Sequence, residues 1–304
     1  MTHVRVTVPA STANLGPGFD CLGLALGLYN TFEVTALDPG EAVKIGIAGE
    51  GAGRLRTDRS NLIVRAIDAV YQRAGHPSVS LDIKATNGIP TGSGLGSSAS
   101  AAVGGIAAAN LLLGNLLSKL DMLRLAYQLE GHPDNAAAAL FGGLTVVSAA
   151  GDDVLVDALV VPPLQVAIAL PDVRLSTREA REALPKRVPL GDAVFNLGRA
   201  MFVVRALQSG DYDLLRRAMD DRLHQPYRRK LIPGFDAAER AAREAGAAAV
   251  ALSGAGPSLA AFAPDRHAEI AEAMRAAFEA RGVNCRTFVL PVDREGVQMV
   301  SRVL

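Results

Sequence analysis

The sequence predicts an α+β protein in two lobes. Three observations carry this reading. Short alternating strands come in hairpin-like sets, helices cluster separately in the second half, and the composition shifts near residue 150. A chain of 304 residues can form two modest domains, and the expected division is 1–155 and 156–304. A cleft between lobes is the natural place for a ligand.

Taken in order, Val4, Val6 and Val8 alternate with polar residues and predict a strand that Pro9 should end. Residues 10–20 follow as a loop rich in turn formers. Residues 31–37 and 43–48 read as strands. Leu62, Ile63, Ala66, Ile67 and Val70 make a helical stripe over 61–74, with Gly75 placed to terminate it. Residues 79–85 alternate and lead into a glycine loop. A buried small-residue helix is expected over 98–113 and a second helix over 119–130, ended by Gly131 and Pro133. Residues 143–149 read as a strand. Past the turn Gly151-Asp152-Asp153, the apolar run 164–170 reads as a buried strand. Amphipathic helices are expected over 177–184, 192–208, 212–223 and 235–245. Two strands, 247–252 and 259–262, flank the turn Ser253-Gly254-Ala255-Gly256-Pro257. A helix over 268–280 and a strand over 284–290 close the chain.

Composition excludes several function classes. Lysine plus arginine equals aspartate plus glutamate at 31 each, so nothing points to nucleic acid or an anionic membrane surface. The two cysteines, Cys21 and Cys285, make neither a disulfide framework nor a metal cluster, and two buried thiols are expected. The stretch Met1-Thr2-His3-Val4-Arg5-Val6 lacks the apolar core of a signal peptide, and no uncharged apolar run reaches membrane-spanning length. A cytoplasmic protein is the expectation.

The chemistry concentrates in Pro90-Thr91-Gly92-Ser93-Gly94-Leu95-Gly96-Ser97-Ser98-Ala99-Ser100. Glycines let a ligand approach the backbone closely. A glycine loop that opens a helix aims several N–H groups, and the positive end of the helix dipole, at one point. That is a cradle for phosphate, with serine hydroxyls available to phosphate oxygens or a magnesium ion. The spacing G-x-G-x-G is not the dinucleotide fingerprint, and no lysine follows as a Walker loop requires.

Three segments together resemble the GHMP kinases: Pro9-Ala10-Ser11-Thr12-Ala13-Asn14-Leu15-Gly16-Pro17-Gly18-Phe19-Asp20, the glycine loop of residues 90–100, and Leu252-Ser253-Gly254-Ala255-Gly256-Pro257-Ser258. They stand in family order and span nearly the whole chain. Glu130-Gly131-His132-Pro133-Asp134-Asn135, Ser176-Thr177-Arg178-Glu179-Ala180-Arg181 and Asp221-Arg222-Leu223-His224-Gln225-Pro226-Tyr227-Arg228 most resemble the members that phosphorylate L-homoserine in threonine biosynthesis. The resemblance implies an N-terminal lobe like ribosomal protein S5 domain 2 and a ferredoxin-like C-terminal lobe, with ATP and substrate between them.

The resemblance also implies roles. The loop residues 90–100 would hold the ATP phosphates, Ser98 and Glu130 would hold Mg2+, and Thr177 would reach the γ-phosphate. Glu130 at a helix C-terminus opposes the dipole, which hints at a functional reason for it. Asn61 either borders the adenine or caps the following helix. Arg181 and Arg228 match positions that bind the substrate carboxylate, for which a planar guanidinium is suited. Asn14, Asp20, His132 and Asp134 are candidates for the ammonium and hydroxyl, with a core role for His132 as the alternative. Asp134 is assigned to substrate binding rather than to base catalysis, since a carboxylate paired with an ammonium is a poorer base. Asn135 is assigned to aligning the hydroxyl. The family includes homodimers, so a homodimer is also an expectation. The rival readings are another GHMP kinase acting on mevalonate, a sugar or a cytidyl-linked alcohol, a non-catalytic ATP-binding sensor on the same fold, and a dinucleotide oxidoreductase, against which the glycine spacing argues.

Overall fold

The computed structural model describes residues 2–37 and 42–303, so Met1 of the N-terminal reading lies outside it. The first half runs β1 (Thr2–Ala13), β2 (Leu22–Leu37), β3 (Lys44–Gly49), α1 (Leu62–Arg73), β4 (Ser80–Asn87), α2 (Ser97–Leu112), α3 (Lys119–Glu130), α4 (Asp134–Phe141), β5 (Leu144–Ala150) and β6 (Asp153–Leu159). The second runs β7 (Gln165–Pro171), α5 (Thr177–Glu182), α6 (Leu190–Ser209), α7 (Tyr212–Ala218), α8 (Gln225–Arg228), a 3-10 turn (Arg229–Leu231), α9 (Phe235–Glu244), β8 (Ala249–Leu252), β9 (Leu259–Phe262), α10 (His267–Glu279), β10 (Cys285–Pro291) and β11 (Gln298–Val303).

One sheet has the order β11-β1-β2-β4-β3, with β5 paired to β2 and β6 to β5. The other is a smaller antiparallel sheet of order β10-β7-β9-β8. The expected division after residue 155 falls inside β6, whose neighbour β5 belongs to the first sheet. The last strand, β11, returns to pair with β1.

Three apolar layers hold these elements. Helices α1 to α4 cover one face of the first sheet, around Val6, Phe32, Val34, Ile67, Ile83, Val103 and Ile106. A middle layer joins the sheets through Leu15, Leu24, Leu26, Leu95, Val166, Ile168 and Phe262, with Val203 and Leu207 of α6. Helices α9 and α10 cover the second sheet through Phe235, Ile270, Met274 and Phe278.

Several expectations need correcting. Pro9 does not end β1; the register shifts between Pro9 and Ala10 and pairing resumes to Ala13. A residue without an amide donor is tolerated at such an irregularity. Ala10, Ser11, Thr12 and Ala13 are fully buried, which is why no polar alternation marks them as strand. β2 begins at Leu22 rather than at residue 31. α4, β6 and β11 were not anticipated; Pro133 precedes α4 as its N-cap instead of separating helix from coil.

The helix expected over 212–223 stops at Ala218. Asp221 accepts the backbone N–H groups of Leu223, His224 and Gln225 at 2.8, 3.0 and 2.6 Å, which turns the chain into α8. Neither free thiol is fully buried. Cys21 is exposed in the tight turn after Asp20, and Cys285 is half-buried at the start of the edge strand β10. Among the described residues no helix is long and apolar enough to cross a membrane.

Candidate active site

The glycine loop is where three distant segments are tied together. Ser11 N–H donates to Leu95 O at 3.1 Å, and Ser258 N–H to Ser93 O at 3.2 Å. Ser253 Oγ donates to Gly94 O at 2.8 Å, and Gly254 N–H to Ala13 O at 3.1 Å. Gly92, Gly94 and Gly96 all have positive φ, at 67°, 80° and 72°. A Cβ on Gly94 would lie 2.3 Å from Ser253 O, and one on Gly96 would lie 2.2 Å from Ser11 Oγ. A Cβ on Gly92 would meet nothing within 4 Å. Two glycines therefore allow the backbones to pack, and the third leaves open space over the loop.

Gly96 caps α2 without a side-chain hydrogen bond. The amides of its first turn are left for a ligand, at the positive end of a 16-residue helix. The loop opens on a cleft of about 330 Å³. Gly92, Ser93, Gly94, Gly96, Ser97, Ser98 and Ala99 line it, as do Asn14, Asp20, Glu130, His132, Asp134, Asn135, Thr177, Arg181 and Arg228.

At one rim Ser98 Oγ donates to Glu130 Oε1 at 2.8 Å. Glu130 is the last residue of α3, where its own helix dipole opposes it, but its carboxylate reaches the first turn of α2, where the dipole favours it. The pair presents hard oxygen donors, which suits magnesium. Among the described residues no group of three or more His, Cys, Asp and Glu side chains forms a closed metal cage.

Asp134 is buried and its Oδ1 accepts from His132 Nδ1 at 3.1 Å and from Asn135 N–H at 2.8 Å. Burial opposes the His132 cation, but the hydrogen bond and charge of Asp134 outweigh it and raise the imidazole pKa. Asn135 Nδ2 donates to Ser11 Oγ at 3.0 Å, which fixes the side chain. Asn14 is a clamp: its Nδ2 donates to Gly254 O at 2.8 Å and its Oδ1 accepts Asp20 N–H at 2.9 Å.

Two guanidinium groups also line the cleft. Arg181 donates to both carboxylate oxygens of Asp20, at 2.8 and 3.0 Å. Arg228 is 1 % exposed. Its Nε donates to Ala180 O at 3.1 Å and its Nη1 to His224 Nδ1 at 3.3 Å. Burial and then the Arg181 charge bring its pKa down to about 10, so it stays cationic at neutral pH without a carboxylate of its own in hydrogen-bond contact. His224 is fully buried and donates from Nε2 to Gly16 O at 2.7 Å. Burial lowers its pKa and keeps it neutral, which leaves Nδ1 as the acceptor for Arg228. Phe19 stacks on His224 and carries both guanidinium groups over its ring, at 5.0 Å for Arg228 and 5.6 Å for Arg181.

A second pocket of about 670 Å³ shares Gly92, Ser97 and Ser98 with the cleft. Phe32, Ile47, Leu55, Leu62 and Ile63 make it apolar, and Asn61, Thr91 and Asn87 add polar groups. Asn61 Oδ1 caps α1 through Ile63 N–H at 2.9 Å, the second of its two expected roles, and the residue also lines this pocket.

Pro90, Leu95 and Ser100 line neither space. Pro90 O accepts from Ser93 Oγ at 2.7 Å, Leu95 is fully buried in the middle layer, and Ser100 is buried in α2. They shape the loop from behind. Sequence reasoning left out Gly254, Ala255 and Gly256, although their motif was noticed, and also Leu175, Ser176 and Asn87. His224 and Phe19 were quoted only as parts of motifs. A histidine four residues before Arg228, one helical turn away, was the available signal for the first.

The two-lobed α+β fold, with a glycine loop and helix N-terminus facing a charged cleft, defines a small-molecule phosphotransferase of the GHMP type. Residues 61–143 match the GHMP kinases N terminal domain and residues 203–280 the GHMP kinases C terminal domain, and the chain belongs to this family. It is 46 % identical over 296 residues to the homoserine kinase of Moorella thermoacetica, covering 97 % of this chain and 99 % of that one. It is 43 % identical over 307 residues to that of Microchaete diplosiphon, covering 99 % and 98 %. The crystal structure of homoserine kinase from Cytophaga hutchinsonii superposes with a TM-score of 0.88 at 34 % identity, covering 98 % of this chain and 97 % of that one.

Proposed function

We propose that this chain transfers the γ-phosphoryl group of ATP to the side-chain hydroxyl of L-homoserine, giving O-phospho-L-homoserine for threonine biosynthesis. The observation that carries the reading is the cluster of Asp20, Arg181 and Arg228 in the same cleft as the glycine loop. Such a cluster complements a zwitterion, with guanidinium for the carboxylate and carboxylate for the ammonium. The relatives named homoserine kinase, which match nearly end to end, support the same substrate.

In this reading the apolar pocket beside Asn61 and Asn87 takes the adenine. The loop amides and the α2 N-terminus take the phosphates, and Thr177 reaches the γ-phosphate. Ser98 and Glu130 are the residues that would hold Mg2+, which when bound neutralises phosphate charge. Phosphoryl transfer needs positioning and charge neutralisation more than covalent help. Arg228, held from behind by His224 and Ala180 O, and Arg181 take the substrate carboxylate. Asp20 and Asp134 take the ammonium, with His132 steadying Asp134 and Asn14 fixing the loop that carries Asp20. Asn135, anchored through Ser11, aligns the hydroxyl.

The deciding experiment is ADP release coupled to a phosphorylated product, with L-homoserine run beside L-serine, L-threonine and mevalonate. Homoserine should be preferred over mevalonate by at least about 100-fold in kcat/KM, because mevalonate lacks the ammonium and leaves buried charges unmatched, and it should be preferred over L-serine and L-threonine because their hydroxyl lies one carbon nearer the α-carbon and is misplaced for transfer. Preference for mevalonate would favour another GHMP kinase, and ATP binding with no product would favour a sensor. If Asp134→Asn abolishes turnover while homoserine affinity is unchanged, Asp134 is the base and not a binding residue.

A further inference from the structure

Phe19 stands beside both guanidinium groups of the cleft, yet it does not line the cleft and belongs to none of the three apolar layers. Its ring stacks on the imidazole of His224, with centroids 5.1 Å apart and planes inclined by 30°. The guanidinium carbons of Arg228 and Arg181 lie 5.0 and 5.6 Å from the ring centroid. The backbone that carries the ring is pinned on both sides. Gly16 O accepts from His224 Nε2 at 2.7 Å, Pro17 O accepts from Asn196 Nδ2 at 3.1 Å, and Asp20 N–H donates to Asn14 Oδ1 at 2.9 Å. A phenyl ring so firmly placed, and so little used in the apolar layers, is free to serve the two cations.

Two guanidinium groups that share one carboxylate repel each other until it arrives. That repulsion registers in Arg228, whose pKa is lowered first by burial and then by the charge of Arg181. Among the described residues Arg228 has no carboxylate in hydrogen-bond contact, and Arg181 has Asp20. If the substrate ammonium takes Asp20, neither guanidinium keeps a protein anion at hydrogen-bond distance. The negative face of an aromatic ring attracts a cation without competing with the incoming carboxylate, and it does so more strongly where water is excluded. Arg228 is 1 % exposed, which meets that condition.

We propose that Phe19 is a positioning residue for the substrate carboxylate: its ring holds Arg181 and Arg228 side by side while Asp20 passes from Arg181 to the substrate ammonium. The proposal rests on the reading that both arginines take the carboxylate of homoserine. The ring acts through the two arginines and touches neither ATP nor the transferred group, so its effect falls on the KM for homoserine.

Fluorination of the ring tests this, because it weakens the pull of the π face on cations and nearly preserves the packing. With mono-, di- and trifluorinated phenylalanine placed at position 19 of the full chain, the KM for L-homoserine should rise stepwise to about 10-fold, with kcat within about 2-fold and the KM for ATP unchanged. Phe19→Leu, which removes the ring, should raise the same KM by about 10-fold or more. In an Arg181→Gln background one guanidinium remains and the repulsion is gone, so Phe19→Leu should add less than about 3-fold. No response to fluorination, an equal rise in the KM for ATP, or additive effects of Phe19→Leu and Arg181→Gln would overturn the proposal. The fluorinated series decides alone where Phe19→Leu fails to fold. Failure of the substrate reading shows itself separately, as an unsubstituted chain that does not phosphorylate L-homoserine.

Discussion

Arg181, on the short helix α5, and Asp20, in the turn before β2, meet in a two-pronged ion pair with N–O distances of 2.8 and 3.0 Å. Both belong to the wall assigned to substrate, so each is the other's stand-in for a substrate group. The two side chains are 35 and 31 % exposed. A pair at that exposure contributes only about 0.2–1 kcal/mol, so a zwitterion can part it at small cost.

Asp20→Asn should therefore change thermal stability by no more than about 1 kcal/mol. It should raise the KM for homoserine at least about 10-fold, the worth of one charge-assisted hydrogen bond of roughly 1.5–3 kcal/mol, and leave the KM for ATP nearly unchanged. Steady-state kinetics with each substrate varied checks the split. A variant that loses ATP affinity equally would mean the pair serves the fold and not the substrate.

The glycines of the loop should separate by position. Gly92→Ala faces open space and should cost about 1–2 kcal/mol for a left-handed alanine. It should nonetheless weaken ATP binding about 10-fold, because its methyl enters the phosphate cradle. Gly94→Ala drives a methyl against Ser253 O and Gly256 O and should cost more than about 3 kcal/mol, strain and overpacking together. Denaturant melts alongside ATP titrations test the contrast.

Asn87 should select the base. Its Nδ2 donates to Glu50 O at 3.0 Å, while its Oδ1 is buried with no hydrogen-bond partner and the residue lines the apolar pocket. That oxygen suits the exocyclic amine of adenine and opposes the carbonyl of guanine. A buried polar mismatch costs about 1–3 kcal/mol. ATP should thus be preferred over GTP by roughly 10- to 100-fold, and Asn87→Ala should narrow the ratio. An unchanged ratio would place the base elsewhere.

Two histidines should give opposite pH dependences of stability. His224 has a folded pKa below its unfolded value of about 6.5, through burial. The unfolded chain binds its proton first, so the contribution of this residue is full above about pH 6.5 and falls as the pH drops towards the folded value, by at most about 1.4 kcal/mol per pH unit. His132 has a raised folded pKa, so its contribution is full below about pH 6.5 and is lost as the pH rises through that raised value. Urea unfolding from pH 5 to 8 should lose its acid-side slope in His224→Gln and its alkaline-side decline in His132→Gln.

Much of the fold was legible because local patterns matched it. The Leu62–Val70 stripe with its Asn61 cap became α1, and 119–130 became α3 with the expected limits. The strands around Ser253–Pro257 paired as a hairpin. The misses share a cause. Residues 10–13, buried on both faces, show no alternation, and the alanine run of α4 is apolar all round. β11 gains its place only from β1, at the far end of the chain.

The site divides in the same way. Residue type and order by themselves determined the glycine loop, the family and the pool of charged side chains, because glycine conformational freedom and charge are written into each residue. Only tertiary structure decided which glycine of the loop faces open space and which face other segments, that Glu130 answers to the dipole of another helix, and that His224 holds Arg228. Those facts depend on distances between segments far apart in the chain, and on burial. Through-space electrostatics and the loss of solvent exist only once the two sheets have closed on Leu95.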